Sequence, residues 1–132
     1  HQDLIPVISP IGMDSAGRHY NINADLVASA MAESFQAPLC YITNVSGITA
    51  DIGGRSTVLH TLTQAMAENM IVSGQISGGM IPKVQSALES LHKQVPEVVI
   101  ANGAAPHVLT RYLSGEAIGT KIIIGEEASS YV

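Results

Sequence analysis

The sequence is poor in the residues that mark several classes of protein. Among 132 residues it has no tryptophan, one phenylalanine and one cysteine, Cys40. A single cysteine excludes an internal disulfide and favours a reducing, cytoplasmic setting. Because Cys40 lies in an apolar run, we expect it to pack in the core without a chemical role. The five histidines have no ligand-like spacing, so no metal held by the protein is expected.

Charged residues are also scarce. They make up 13% of the chain, and six Lys and Arg stand against eleven Asp and Glu, which gives a net charge of −5. An acidic chain without a basic run is not expected to bind nucleic acid. No apolar run approaches the ~18 residues of a membrane-spanning helix, so no membrane partner is expected. The hydrophobic share of 46% is ample for a folded core.

Apolar periodicity predicts strands that alternate with helices. The predicted strands cover residues 4–9, 38–43, 97–101 and 119–124. The predicted helices cover residues 24–35, 61–71 with Thr61 as N-cap, 81–93 and 106–113. Turn-rich segments at 10–17 and 44–55 predict hairpins or loops, residues 72–79 a glycine-rich loop, and residues 125–132 a frayed end.

This alternation predicts an α/β fold with a mostly parallel central sheet sandwiched by helices. We expect residues 1–132 to form one domain or one half of a larger protein. In such sheets, ligands bind beyond the carboxyl ends of the strands, beside helix N-termini. Two polar motifs fall at predicted helix starts, where this rule places a ligand.

The first motif brings Asn21, Asn23 and Asp25 to the start of the helix predicted at 24–35. Asn and Asp are common helix caps, so capping alone accounts for one of them. Extended residues two apart point the same way, which allows Asn21 and Asn23 to face a substrate carboxylate or amide. Asp25 follows at the helix start, where a carboxylate is suited to hold a lysine in place.

The second motif is Ser77-Gly78-Gly79-Met80-Ile81-Pro82-Lys83, before the helix predicted at 81–93. A lysine in the first turn opposes the helix dipole, and an anionic ligand there reverses that effect. Gly78 and Gly79 let backbone approach a phosphate closely. The motif is not a Walker loop, and a solvated surface lysine after an ordinary turn is the alternative. We interpret the motif as one side of a site for a phosphorylated ligand.

Polar side chains also end the strand predicted at 38–43. The segment Thr43-Asn44-Val45-Ser46-Gly47 suits contacts to a nucleotide, and a plain turn is the alternative. No G-x-S-x-G elbow is present, so a hydrolase triad has little support.

These motifs resemble the C-terminal, nucleotide-binding half of the amino acid kinase superfamily, and within it the acetylglutamate kinases. The likeness runs from Ile5 to about Ile124. Its anchors are Val7-Ile8-Ser9-Pro10-Ile11-Gly12, Asn21-Ile22-Asn23-Ala24-Asp25, Thr43-Asn44-Val45-Ser46-Gly47-Ile48, Ile76-Ser77-Gly78-Gly79-Met80-Ile81-Pro82-Lys83-Val84 and Gly119-Thr120-Lys121-Ile122.

The resemblance implies transfer of the γ-phosphoryl group of ATP to the side-chain carboxylate of N-acetyl-L-glutamate, in arginine biosynthesis. It implies that Lys83 steadies the transferring group, that Asp25 orients the catalytic lysines, and that Asn21 and Asn23 bind substrate. Magnesium comes with ATP, held mostly by phosphates and water. The implied nucleotide-binding residues are Thr43, Asn44, Val45, Ser46, Gly47, Ile48, Thr49, Gln75, Ile76, Ser77, Gly78, Gly79 and Met80.

The chain departs from the family in two ways. Asn44 stands where the family usually has Asp. The family's N-terminal half, with a K-x-G-G lysine, a glycine-rich phosphate loop and a substrate-binding arginine, has no counterpart here. The chain also starts at His1 without an initiator Met. We therefore expect a fragment that does not turn over alone, from a parent protein that forms a homo-oligomer as family members do.

Three alternatives stay open at this point. Kinases that act on carrier-bound aminoadipate look very similar in this half. A non-catalytic, ligand-sensing kinase-like domain occurs in the acetylglutamate synthases, although Lys83 and Asp25 speak against it. A plain α/β nucleotide-binding module would fit a fragment that folds alone and binds ATP weakly.

Overall fold

The structure is a computed structural model that describes residues 4–125. Within them, the helices are α1 (Ala24–Phe35), α2 (Gln64–Val72), α3 (Met80–His92) and α4 (Val108–Leu113). The strands are β1 (Ile11–Met13), β2 (His19–Asn21), β3 (Leu39–Thr43), β4 (Thr49–Ile52), β5 (Arg55–Val58), β6 (Thr61–Thr63), β7 (Val98–Asn102) and β8 (Thr120–Ile123).

Four strands form a central sheet in the order β3-β7-β8-β6. The pairs β3/β7 and β6/β8 are parallel, with Tyr41 opposite Ile100 and Leu62 opposite Ile122. The middle pair, β7/β8, is antiparallel. The sheet is therefore mixed but mostly parallel, which confirms the predicted fold class. Two antiparallel hairpins, β1/β2 and β4/β5, lie outside it.

Helices cover both faces of the sheet. On one face α1, α2 and α3 bury a large apolar cluster together with strand residues such as Leu39, Leu62 and Ile100. Helix α3 packs one apolar face against the sheet, and its residues Val84, Ala87, Leu88 and Leu91 are all buried. On the other face Val108 of α4 packs with Val99 and Ala101 of β7.

The single cysteine belongs to the second face. Cys40 is half-buried and packs beside the cluster that Val108 forms with β7. Burial raises the pKa of its thiol, which keeps the group protonated and supports the prediction of a packing role. No helix between residues 4 and 125 has the length and apolar character needed to cross a bilayer.

The sequence predicted most of the elements. Helix α1 has the predicted bounds, α3 begins one residue early, and β3, β7 and β8 lie within a residue of their predicted positions. The turn-rich segments 10–17 and 44–55 both contain hairpin strands. Helix α4 is shorter than predicted because His107, with φ 56°, lies in the left-handed region. The predicted frayed end covers residues 125–132. All of it except Gly125 lies outside the described residues.

Two predictions were wrong. Residues 4–9 form no strand, and Ile5 and Val7 are 91% and 95% exposed. An apolar run forms a strand only where another strand pairs with it, and no partner within residues 4–125 lies beside this one.

The helix predicted from Thr61 starts at Gln64, capped by Thr63. Pairing with β8 and burial of Leu62 make Thr61–Thr63 a strand instead.

The close approach of β7 and β8 predicts a sharp difference between two glycine substitutions. Gly119 has φ +68°, and a Cβ there would overlap the carbonyl oxygen of Ile100. We expect Gly119→Ala to lower the free energy of unfolding by about 3 kcal/mol or more, because a steric clash adds to left-handed strain. Gly115, with φ +88° and open space around it, is the matched control. Its change to Ala is expected to cost only about 1 kcal/mol.

Urea unfolding of the full-length protein measures both variants. Equal losses for Gly119→Ala and Gly115→Ala would contradict the close packing at Ile100.

Candidate functional site

An ion pair joins the first turns of α1 and α3. Lys83 Nζ lies 2.6 Å from Asp25 Oδ2, although the two residues are 58 positions apart in the chain. The lysine side chain is 20% exposed and that of Asp25 39% exposed, so the pair is partly shielded from water. Asp25 is therefore positioned to hold Lys83, as the sequence predicts.

The local sequence explains how Asp25 reaches this position. Asn23 is the N-cap of α1, and its Oδ1 accepts a hydrogen bond of 2.8 Å from the backbone N–H of Asp25. Asp25 then sits in the first turn, where a carboxylate is favoured by the helix dipole. Lys83 in the first turn of α3 is disfavoured by the same dipole, and the carboxylate of Asp25 offsets this cost.

The N-terminus of α3 is open toward solvent. Its N-cap, Gly79, has no side chain, and the N–H groups of Met80 and Ile81 donate to the carbonyl oxygens of Ser77 and Gly78 at 3.3 and 3.2 Å. Gly78 has φ +58°, and a Cβ added at either glycine would meet nothing within 4 Å. A ligand therefore has room to approach the backbone here, as the sequence predicts.

Beside this helix start lies a cleft of about 480 Å³. Its walls come from the loop after β3, from the β4/β5 hairpin and from the segment before α3. Most of the predicted nucleotide-binding residues line it, together with Val58, which was not predicted. The lining residues are Asn44, Val45, Ser46, Gly47, Ile48, Thr49, Val58, Gln75, Ile76, Ser77 and Met80.

Three predicted nucleotide-binding residues lie outside this lining. Thr43 closes a local turn instead, since its Oγ1 accepts from the N–H of Val45 and donates to the Val45 carbonyl, both at 3.0 Å. Gly78 and Gly79 lie in the turn that leads from the cleft into α3. The cleft's volume is within the range of small-ligand sites, about 300–1,000 Å³.

One buried hydroxyl fixes the loop that forms the first wall. Thr120 is fully buried, and its Oγ1 accepts a hydrogen bond of 2.7 Å from the N–H of Ile48. Gly47, with φ +144°, lies so close that a Cβ there would be 2.6 Å from the same oxygen. Only glycine fits this position, so β8 determines the shape of the loop.

The two asparagines lie on the chain that leads into α1. Asn21 ends β2 opposite Ile11, and both Asn21 and Asn23 are exposed. The Oδ1 of Asn23 is engaged in the helix cap, so capping accounts for part of this motif. The assignment of both asparagines to substrate stays a prediction.

Three residues beneath the ion pair were not predicted from the sequence. The ring of Tyr41 in β3 lies under Lys83, with Nζ 5.0 Å from the ring centroid. The Tyr41 hydroxyl lies 2.7 Å from Ser29 Oγ and 3.1 Å from Ser86 Oγ. Ser29 follows Asp25, and Ser86 follows Lys83, by about one helical turn. This spacing places each serine on the same helix face as its ion-pair residue, which is the sequence signal for both serines.

A second cleft, of about 360 Å³, shares Ser46 and Val58 with the first. Ser46, His60, Asn102 and Arg111 are polar residues in its lining. Arg111 is already hydrogen-bonded to Glu116, which raises the pKa of the guanidinium and lowers that of the carboxyl. This cleft therefore offers no unpaired cation for a phosphate. Between residues 4 and 125 no group of three or more His, Cys, Asp or Glu residues is arranged to hold a metal.

Comparison with known proteins places this arrangement in a family. The sequence pattern of the amino acid kinase family matches residues 1–102. The chain belongs to the amino acid kinase family. It is 47% identical over 116 residues to the acetylglutamate kinase of Oceanobacillus iheyensis, a match that covers 88% of this chain and 44% of the relative. The chain thus spans less than half the length of that relative.

Solved structures agree with the fold of this family member. An N-acetylglutamate synthase from Neisseria gonorrhoeae, solved with coenzyme A and N-acetyl-glutamate, has a TM-score of 0.75 and 28% identity, covering 89% of this chain and 27% of that one. Carbamate kinase from Giardia lamblia has a TM-score of 0.66 and 21% identity, covering 87% and 41%. The fold class and the family resemblance are both confirmed.

The hydrogen bond from Ile48 to Thr120 predicts a stability difference between two variants. Thr120→Val keeps the shape but removes the acceptor, which leaves a buried N–H unpaired, so we expect a loss of about 1–3 kcal/mol. Thr120→Ser keeps the hydroxyl and should lose less. Urea unfolding of the full-length protein measures both. If the serine variant were as unstable as the valine variant, the hydroxyl would not be what holds the loop.

Proposed function

We propose that residues 1–132 form the C-terminal, ATP-binding lobe of a kinase that phosphorylates the side-chain carboxylate of N-acetyl-L-glutamate. The observation that carries the proposal is the pairing of Lys83 with Asp25 beside the cleft of residues 44–49 and 75–80. Met80 lines that cleft, and Lys83 follows it by about one helical turn. The identity of 47% with an acetylglutamate kinase supports this acceptor.

The proposed reaction is a direct transfer, and the protein forms no covalent intermediate. A carboxylate oxygen of the acceptor attacks the γ-phosphorus, the bond to the β–γ bridging oxygen breaks, and ADP leaves with an acyl phosphate as the other product. Catalysis of this step depends on positioning and on neutralising negative charge. Lys83 supplies a cation at the open end of α3, and Asp25 keeps its ammonium in place.

Other parts of the site complete the proposal. The cleft walls would hold the adenine nucleotide, and Asn21 and Asn23 would contact the acceptor. Magnesium would arrive with ATP and be held mostly by phosphates and water. A cytoplasmic location, a role in arginine biosynthesis and a homo-oligomeric parent protein belong to the same proposal, which concerns the full-length protein.

The direct test is an activity assay of the full-length protein with Mg-ATP and N-acetyl-L-glutamate. We expect ADP to form together with an acyl phosphate that hydroxylamine traps as a hydroxamate. Unacetylated L-glutamate serves as the control acceptor and should give far less product. ATP binding without transfer to any carboxylate would refute the proposal and favour a ligand-sensing domain.

Breaking the ion pair should slow turnover much more than it weakens nucleotide binding. Lys83→Ala removes the cation, and we expect kcat to fall about 10²–10³-fold, as for loss of a transition-state donor. Asp25→Asn leaves the cation but frees it to move, and a fall of about 10–10² is expected. The KM for ATP should change less than kcat in both variants, which steady-state kinetics measures.

A second pair between the same helices provides matched controls. Lys93 Nζ lies 3.3 Å from Glu33 Oε1, at the opposite end of α3 and about 15 Å along the helix from Lys83. Lys93→Ala and Glu33→Gln should leave kcat within about twofold, because this pair lies at the end of α3 away from the cleft. Normal turnover in Lys83→Ala would remove Lys83 from the reaction.

A further inference from the structure

Lys83 has two partners in the structure, and they constrain it differently. Asp25 contacts the ammonium through one carboxylate oxygen, which fixes a distance. A lysine is a point charge on a flexible four-carbon stem, so one such contact leaves its direction free. The second partner is the ring of Tyr41, 5.0 Å from Nζ to the centroid and within the range of a cation–π interaction.

Tyr41 is itself held rigidly. It is 3% exposed and lies in β3, paired with Ile100 of β7. Its hydroxyl contacts Ser29 of α1 and Ser86 of α3, and the two serine oxygens lie 3.3 Å from each other. A buried tyrosine hydroxyl needs such partners. The two helices that present the ion pair therefore also anchor the ring beneath it.

We propose that Tyr41 is a positioning residue whose ring forms the floor under the Lys83 ammonium and directs it toward the nucleotide cleft. The inference rests on the proposed function and adds a residue that the sequence motifs do not contain. Strand β3 continues from Tyr41 into the cleft wall at Asn44. Strand β3 thus sets both the position of the Lys83 ammonium above the ring and the position of the cleft wall.

An ordinary core tyrosine would account for the burial of Tyr41 but not for an effect on catalysis. Variants that remove either the aromatic ring or the hydroxyl distinguish core packing from positioning of Lys83. Tyr41→Phe keeps the ring, and Ser29 and Ser86 remain close enough to bond each other. Tyr41→Leu and Tyr41→Met keep an apolar side chain but remove the aromatic face.

The kinetic test uses the full-length protein at saturating Mg-ATP and acceptor. We expect Tyr41→Leu and Tyr41→Met to lower kcat about tenfold, with the KM for ATP within about twofold, and Tyr41→Phe to stay within about twofold of wild type. In a Lys83→Ala background, Tyr41→Leu should have less than about a twofold effect, since the cation is gone. Leu39→Val, a change at a buried position on the same face of β3, controls for lost core volume.

A kcat that is normal in Tyr41→Leu, or one that falls equally in the Phe and Leu variants, would overturn the proposal. Melting temperatures of all variants show whether each is folded under assay conditions. A fall in kcat that Leu39→Val reproduces would also overturn it, because packing and not the ring would then be responsible.

A spectroscopic test does not require turnover and so separates this inference from the proposed function. In the full-length protein, ring currents of Tyr41 should shift the Lys83 Cε protons upfield of those of exposed Lys93. The Lys83 signal is identified by its loss in Lys83→Ala. The upfield shift should persist in Tyr41→Phe and vanish in Tyr41→Leu. Lys83 protons at the Lys93 position in the wild type would refute the contact even if the kinase assay succeeds.

Discussion

The ion pair between Asp25 and Lys83 depends on two helices starting side by side. Each helix N-terminus is electropositive, and a lysine in the first turn of α3 adds to that charge. Asp25, held in the first turn of α1 by the Asn23 cap, offsets it across a distance of 2.6 Å. The arrangement leaves a fixed cation beside the open Gly78-Gly79 turn on the same side of the molecule, which suits an anionic group such as a phosphate.

The sheet explains why these groups meet beside a cleft. Strand β3 carries Tyr41 beneath the lysine and then runs into the loop 44–49, which forms one wall. Strand β8 holds that loop from below through Thr120, which is why Gly47 cannot carry a side chain. The cation, its floor and the cleft wall are therefore fixed by two strands of one sheet, β3 and β8, and a flexible lysine becomes a positioned one.

Local sequence signals were sufficient where a feature depends on nearby residues. The bounds of α1, the apolar face of α3 and the polar motifs at both helix starts follow from periodicity and capping. The failures involve distant partners. Residues 4–9 are largely apolar but pair with no strand in the described part of the chain. Thr61–Thr63 becomes a strand only because β8 lies beside it, and Tyr41 lies under Lys83 only because three elements converge. No spacing along the chain encodes those neighbours directly.

A crystal structure of the full-length protein with a non-hydrolysable ATP analogue and N-acetyl-L-glutamate is the most direct test of this arrangement. We expect Lys83 Nζ to lie about 3 Å from a γ-phosphate oxygen while it still contacts Asp25 and covers the Tyr41 ring. The adenine nucleotide should occupy the cleft lined by residues 44–49 and 75–77. A nucleotide bound elsewhere, or Lys83 turned away from the phosphates, would contradict it.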